Sequence, residues 1–229
     1  MKTTVSIFIL LLLVACKTGE KIADGNYDRQ SRISLKAGIN KGGITENTDM
    51  SVIENANVDA FTGATETGFH METTYAYPVG KNYIETGITY MFNDQLFTYV
   101  FAEGDVVGKR NLNTSQLMLP LTFNVGLFRK KQSDGSLQLN IGYVLQYNMI
   151  GINDEHPGLP GYNLYKWSNG FTAGLTAFPV AFENGNRLGW YLSGYRGSQV
   201  YEDLFNLKDF EIPGSSYFKT GIIYQFQTR

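Results

Sequence analysis

His70 and Glu72 stand two residues apart, and Glu85 follows beyond a Pro78-Val79-Gly80-Lys81 turn signal. In an extended chain, residues i and i+2 point to the same face. The imidazole and the first carboxylate therefore share a side, and Glu85 can approach them from the next segment. An imidazole beside a carboxylate is the material of a general base. The rest of a hydrolytic site is not legible. No serine lies obviously beside His70, and no Gly-x-Ser-x-Gly elbow occurs. The other histidine, His156, opens the stretch His156-Pro157-Gly158-Leu159-Pro160-Gly161. Neither it nor the nearby Asp154 and Glu155 shows metal-ligand or calcium-loop spacing. A phosphate-cradling glycine motif is missing as well. Cys16 is the only cysteine, which removes disulfide frameworks and thiolate metal sites. Net charge is −2 with no long charge run, so nucleic acid is not expected as a partner. The expectation is a protein with no cofactor, no metal and no catalytic residues.

The segments that must position these side chains alternate polar and apolar with period two, the pattern of strands. Eight such segments cover about residues 31–41, 65–77, 82–92, 115–128, 136–148, 166–182, 187–197 and 216–227. Most reach or slightly exceed the roughly 9–11 residues of a tilted membrane strand. Short connections at 78–81, around 130–135 and at 183–186 alternate with long ones at about 42–64, 93–114, 149–165 and 198–215. Asn, Asp and Gly in the short set are turn chemistry. Short turns on the periplasmic side and longer extracellular loops are the habit of transmembrane barrels. The predicted fold is all-β: an eight-stranded antiparallel up-and-down transmembrane β-barrel over residues 31–229.

Each strand splits into a bulky apolar set and a polar or tiny set. Leu35, Met71, Ile88, Leu119, Ile141 and Ile222 belong to the first; Lys36, His70, Glu72, Glu85, Lys219 and Gly221 belong to the second. Alternation alone fits two opposite barrels, one with apolar residues inside and one with them outside. The glycines favour the second. Nearly all strand glycines lie on the polar face, and the narrow interior of an eight-stranded barrel is where small residues are needed. Aromatics agree: Tyr75, Tyr77, Trp190, Tyr224 and Phe226 fall at one end of the strands, and Tyr90, Phe92, Tyr147, Trp167 and Phe218 at the other. Two belts at the interfaces are the membrane pattern. An open strand edge has no water partner in lipid, so the last strand must close on the first. That brings Lys219 towards Lys36, and with Glu72 and Glu85 the four charges read as a salt-bridged plug in the lumen, with His70 beside it.

The last strand, Lys219-Thr220-Gly221-Ile222-Ile223-Tyr224-Gln225-Phe226, resembles the C-terminal signal by which bacterial outer-membrane barrels are recognised for insertion, carried by Gly221, Tyr224 and Phe226. Residues 1–15 read as a signal peptide: a basic start, then an apolar run from Val5 to Ala15 too short to span a bilayer. Leu13-Val14-Ala15-Cys16 resembles a lipobox, which implies lipidation of Cys16; residues 16–30 are polar and read as a tether. Together with Leu117-Met118-Leu119-Pro120-Leu121 and Leu139-Asn140-Ile141-Gly142-Tyr143-Val144-Leu145, the final strand resembles small outer-membrane barrels of the OmpA/OmpX type, most closely the porin-like barrel domain common in Bacteroidota. The resemblance implies fold and a bacterial outer-membrane location, with outer-membrane lipid and the barrel assembly machinery as partners. It implies no shared catalytic residues, and the lipobox departs from its pattern. An extracellular ligand or protein is expected to bind through the loops, where 149–165 carries Tyr162 and Tyr165 and 198–215 carries Tyr201, Leu204, Phe205, Leu207 and Phe210. A lipid-anchored lipocalin-like carrier of an apolar ligand is the alternative, and a lipid-modifying enzyme a third reading.

Overall fold

A computed structural model describes residues 30–44, 58–65, 67–101, 106–127, 137–153, 165–199 and 214–228. Nine strands follow in chain order: β1 Arg32–Ile44, β2 Val58–Thr65, β3 Thr67–Val79, β4 Asn82–Phe101, β5 Val106–Gly126, β6 Leu137–Asn153, β7 Trp167–Ala181, β8 Arg187–Gln199 and β9 Gly214–Gln227. All pairings are antiparallel. The sheet order is β2-β4-β3-β1-β9-β8-β7-β6-β5, and β4 also pairs with β5, which closes the circle. The closed circuit is β1-β3-β4-β5-β6-β7-β8-β9: an eight-stranded barrel. β9 joins β1 from Arg32↔Gln227 to Ile44↔Ser215, so no edge remains open around the circuit.

Register sets its shape. A path of paired residues leaves β1 at Arg32 and runs through Ala76, Glu85, Thr122, Gly142, Thr172, Tyr195 and Tyr217. It returns to β1 at Gly42, ten residues further along than Arg32. With eight strands spaced about 4.8 Å apart, that shear tilts the strands by roughly 40°.

Turn chemistry explains two of the short connections. Gly80 has φ 61° and Gly185 φ 81°, the left-handed region that other residues resist. At the second turn, the Phe182 amide donates to the Asn186 carbonyl at 2.9 Å, and the Gly185 amide to the Phe182 carbonyl at 3.0 Å. Residues 128–136, which hold the third short connection, lie outside the described residues, as do 1–29 with Cys16 and the loop 200–213.

Two long connections are corrected by the structure. Segment 93–114, read as a loop, is mostly a hairpin: β4 and β5 stay paired up to Val100↔Val106. Segment 42–64 contains β2, which pairs with the far half of β4 from Thr65↔Gln95 to Val58↔Phe101. β6 likewise continues to Asn153 against Leu112. These parts are strands because they find neighbours to ladder with, although period two is weak in them. The wall made of β2, β4, β5 and β6 thus rises beyond the wall of β7, β8, β9 and β1. Past Phe92 the rise is about 20 Å if the tilt is kept.

Pro120 sits inside β5, pairs Val144 and is buried towards the lumen. On its other side the ladder with β4 skips from Thr86↔Leu121 to Thr89↔Met118 without a change of register. A proline has no N–H to give there. The Thr86 hydroxyl donates to the Pro120 carbonyl at 3.0 Å and holds the two strands together across the gap.

Candidate functional site

The two faces of the barrel are sorted by chemistry in the sense the glycines indicate. Outward and exposed are Leu35, Met71, Ile88, Leu119, Ile141 and Ile222, the last at 63%. Inward and buried are Arg32, Lys36, His70, Glu72, Glu85 and Lys219, the first at 1%. A protein folded in water would present the reverse. Glycines serve the narrow interior. At the paired Gly38 and Gly221, an added Cβ would fall 2.0 Å from the Thr220 carbonyl oxygen and 2.1 Å from that of Ala37, respectively. Backbone of this closeness cannot yield cheaply, so Gly38→Val is expected to lower stability by at least about 1–3 kcal/mol. Urea titration of the refolded barrel measures it; an unchanged midpoint would show that the lumen has slack there.

Aromatic side chains ring both ends. Tyr75, Tyr77, Trp190 and Phe226 are exposed near the tight turns. Tyr224 packs edge-on against Phe226 at 4.7 Å and against Phe182 at 6.0 Å. At the far end Phe69, Trp167 and Phe218 are exposed. Phe69 stacks on Phe92 at 5.5 Å, and Trp167 lies 4.8 Å from Tyr147. The belts are eight residues apart along β3, from Phe69 to Tyr77. At about 3.3 Å per residue and a tilt near 40°, the apolar band between them is about 20 Å tall, close to the roughly 25 Å expected of a barrel in lipid.

Inside the band, four strands converge on one ionic cluster. Lys36 of β1 donates to Glu72 Oε1 and to Glu85 Oε1, each at 2.6 Å. Lys219 of β9 donates to Glu72 Oε2 at 3.2 Å, and the Thr89 hydroxyl to the same oxygen at 2.8 Å. Asn124 Nδ2 donates to Glu85 Oε2 at 2.9 Å. Each carboxylate oxygen therefore has a partner, the condition under which charges tolerate burial. The Lys36 ammonium also lies 5.9 Å from the Tyr191 ring centre. His70 Nε2 is in hydrogen-bond contact with the Tyr191 hydroxyl. Register puts Lys219 opposite Asn40 rather than opposite Lys36, and the two cations meet through Glu72.

Aromatic and apolar layers cap this cluster on both sides. Towards the far end, Tyr195 and Tyr217 stack at 5.5 Å and 18°, with Met91, Met118 and Val144 in the same cluster. Gln116 Nε2 donates to the Tyr217 hydroxyl at 2.7 Å. Towards the turns, Phe178, Tyr191 and Ile223 form a second cluster, with the Arg187 guanidinium 5.8 Å from the Phe178 ring centre. Sequence reasoning missed these inward tyrosines. Their phase was available: Tyr191 is two residues from Gly189, and Tyr217 two from Lys219. A cavity of about 40 Å3 lies between the ionic cluster and a wall of small residues that includes Thr122, Asn140, Thr172, Gly174 and Ser193. That is room for on the order of three waters. At the level of the ionic cluster, the described side chains fill most of the lumen around this space.

For chemistry the arrangement offers little. His70, Glu72 and Glu85 do come together, but in the middle of the lumen and bound to Lys36, Lys219 and Tyr191. A catalyst acting on lipid needs its nucleophile at the bilayer surface. Gly221 faces the lumen beside Lys219, while Tyr224 and Phe226 point outward, so the residues of the terminal motif divide between the two faces.

No family model matches the chain, and no curated protein matches it in sequence. Solved structures do resemble it. The outer membrane protein OprG from Pseudomonas aeruginosa gives a TM-score of 0.47 at 9% identity, covering 90% of this chain and 100% of that one. The outer membrane protein AlkL, solved in DMPC lipid bilayers, gives 0.37 at 12% identity, covering 90% of this chain and 95% of that one. The likeness is to small outer-membrane barrels. It is a distant likeness, at 9% and 12% identity.

Proposed function

We propose that the chain is an integral outer-membrane β-barrel with a structural role or a binding role carried by the part that rises above the bilayer, and that it is not an enzyme. One observation carries this reading: the large apolar side chains point out and the charges point in, around a circuit with no open edge. A lipocalin-like carrier needs a roomy apolar cavity, and among the described residues the middle of the lumen is ionic and tyrosine-lined. A lipid-modifying enzyme finds no support in the position of His70. A solute pore is disfavoured by the layers that fill the lumen. The asymmetric wall of β2, β4, β5 and β6 supports the binding role, because paired strands hold their outer ends in place as a platform for recognition.

The reading predicts that the protein fractionates with the outer membrane and migrates heat-modifiably on gels, since a closed barrel resists detergent until it is boiled. Cys16→Ser is expected to leave both behaviours unchanged, whether or not Cys16 carries lipid, because the barrel itself is the anchor. Release of the Cys16→Ser protein into the soluble fraction would sink this reading in favour of a lipid-anchored soluble barrel.

A further inference from the structure

The outward surface of the band is almost free of charge. Among the described strand residues that face outward, from the turn-side belt to the outer one, the charged ones are Lys41 of β1 and Arg196 of β8, both exposed. Neither has an acidic partner among the described residues. They lie on the low wall of the barrel, with β9 between them. Lys41 pairs Phe218, Phe218 pairs Gly194, and Arg196 is two residues beyond Gly194. The strand tilt lowers β8 against β1 by roughly 6 Å over two strands, and two residues along β8 raise Arg196 by roughly 5 Å. Both cations therefore stand at one height, the level of Phe69, Phe218 and the outer belt, with their Cα atoms about 12 Å apart.

Charge on the lipid face is destabilising unless it meets headgroups. Two cations of the same sign, at one height and on one side, are matched by anionic headgroups at that height. Beneath them the surface drops. Gly194 is exposed with nothing within 4 Å of where a Cβ would be, and Ala173 pairs it, between the exposed rings of Phe171, Phe218 and Trp190. That is a shallow apolar seat for acyl chains below a cationic pair. The spacing of the pair suits a headgroup with two separated anionic groups better than one with a single phosphate.

We propose that Lys41 and Arg196 bind a multiply phosphorylated glycolipid of the leaflet on the long-connection side, with its acyl chains seated over Gly194 and Ala173. This rests on the outer-membrane reading. The test uses the full chain in phosphatidylcholine nanodiscs doped with a diphosphorylated glycolipid, with the same glycolipid stripped of phosphate, or with phosphatidylglycerol. Native mass spectrometry reads the lipid retained per barrel. Wild type is expected to retain the diphosphorylated lipid about tenfold to thirtyfold over the stripped form. Lys41→Gln with Arg196→Gln should erase that preference, while the charge-preserving Lys41→Arg with Arg196→Lys should keep it. Equal retention by wild type and the Gln pair overturns the proposal, as does phosphatidylglycerol held as strongly as the glycolipid. Heat-modifiable migration is followed in parallel. If it persists while lipid preference is absent, the lipid site alone fails; if wild type itself lacks it, the barrel reading fails.

Discussion

Glu72→Ala is expected to destabilise the barrel by about 3–5 kcal/mol, the range for removing one partner from a buried ionic group. Glu72 is 7% exposed and serves three donors: Lys36 through Oε1, and Lys219 and Thr89 through Oε2. Without it Lys219 loses the one ion pair it makes among the described residues, and Lys36 keeps only Glu85. An exposed pair would be worth about 0–1 kcal/mol, so the measured size separates a packed lumen from a water-filled one. Glu72→Gln should also be costly, because its amide nitrogen turns a donor towards a lysine. Glu85→Ala should cost less, since Lys36 retains Glu72. Replacing Glu72, Lys36 and Lys219 together by apolar residues of similar volume should recover much of the loss. Urea midpoints read from the folded band on unboiled gels supply the comparison. A Glu72→Ala loss below about 1 kcal/mol would show that water screens the cluster.

Ile88→Arg should cost about 2–4 kcal/mol if the barrel sits in lipid. Ile88 is 53% exposed and lies on β4 midway between Ile84, opposite Tyr77, and Phe92, opposite Phe69. It is therefore near the middle of the apolar band, where an arginine has the furthest to reach for water. On a soluble barrel the same substitution would be a surface change within about 0.5 kcal/mol in either direction. Thr89, its neighbour in sequence, faces the lumen and is bonded to Glu72. Folding yield and midpoint in phosphatidylcholine vesicles decide between the two readings. A neutral Ile88→Arg would overturn the membrane assignment even with the fold intact.

Sequence alone determined which face most residues of the eight alternating segments take, because a pleated strand allows only two and the glycines cannot be spared from the crowded one. It placed Lys36, His70, Glu72, Glu85 and Lys219 on a common inner surface, and the closing of β9 on β1 followed from the absence of water in the bilayer core. Tertiary structure decided what those residues touch. The meeting of Lys36 with two carboxylates, and of Lys219 with Glu72 rather than Glu85, depends on a shear of ten residues. That quantity is the sum of eight registers, and no single segment encodes it. The stacked Tyr195 and Tyr217 come from neighbouring strands and meet because the β8–β9 register sets them directly opposite each other. The tall wall was hidden for a related reason: residues 93–101 and 106–114 lack strict alternation, so the sequence pattern does not mark them as strands. They are strands because they ladder with each other and with β2 and β6 on either side.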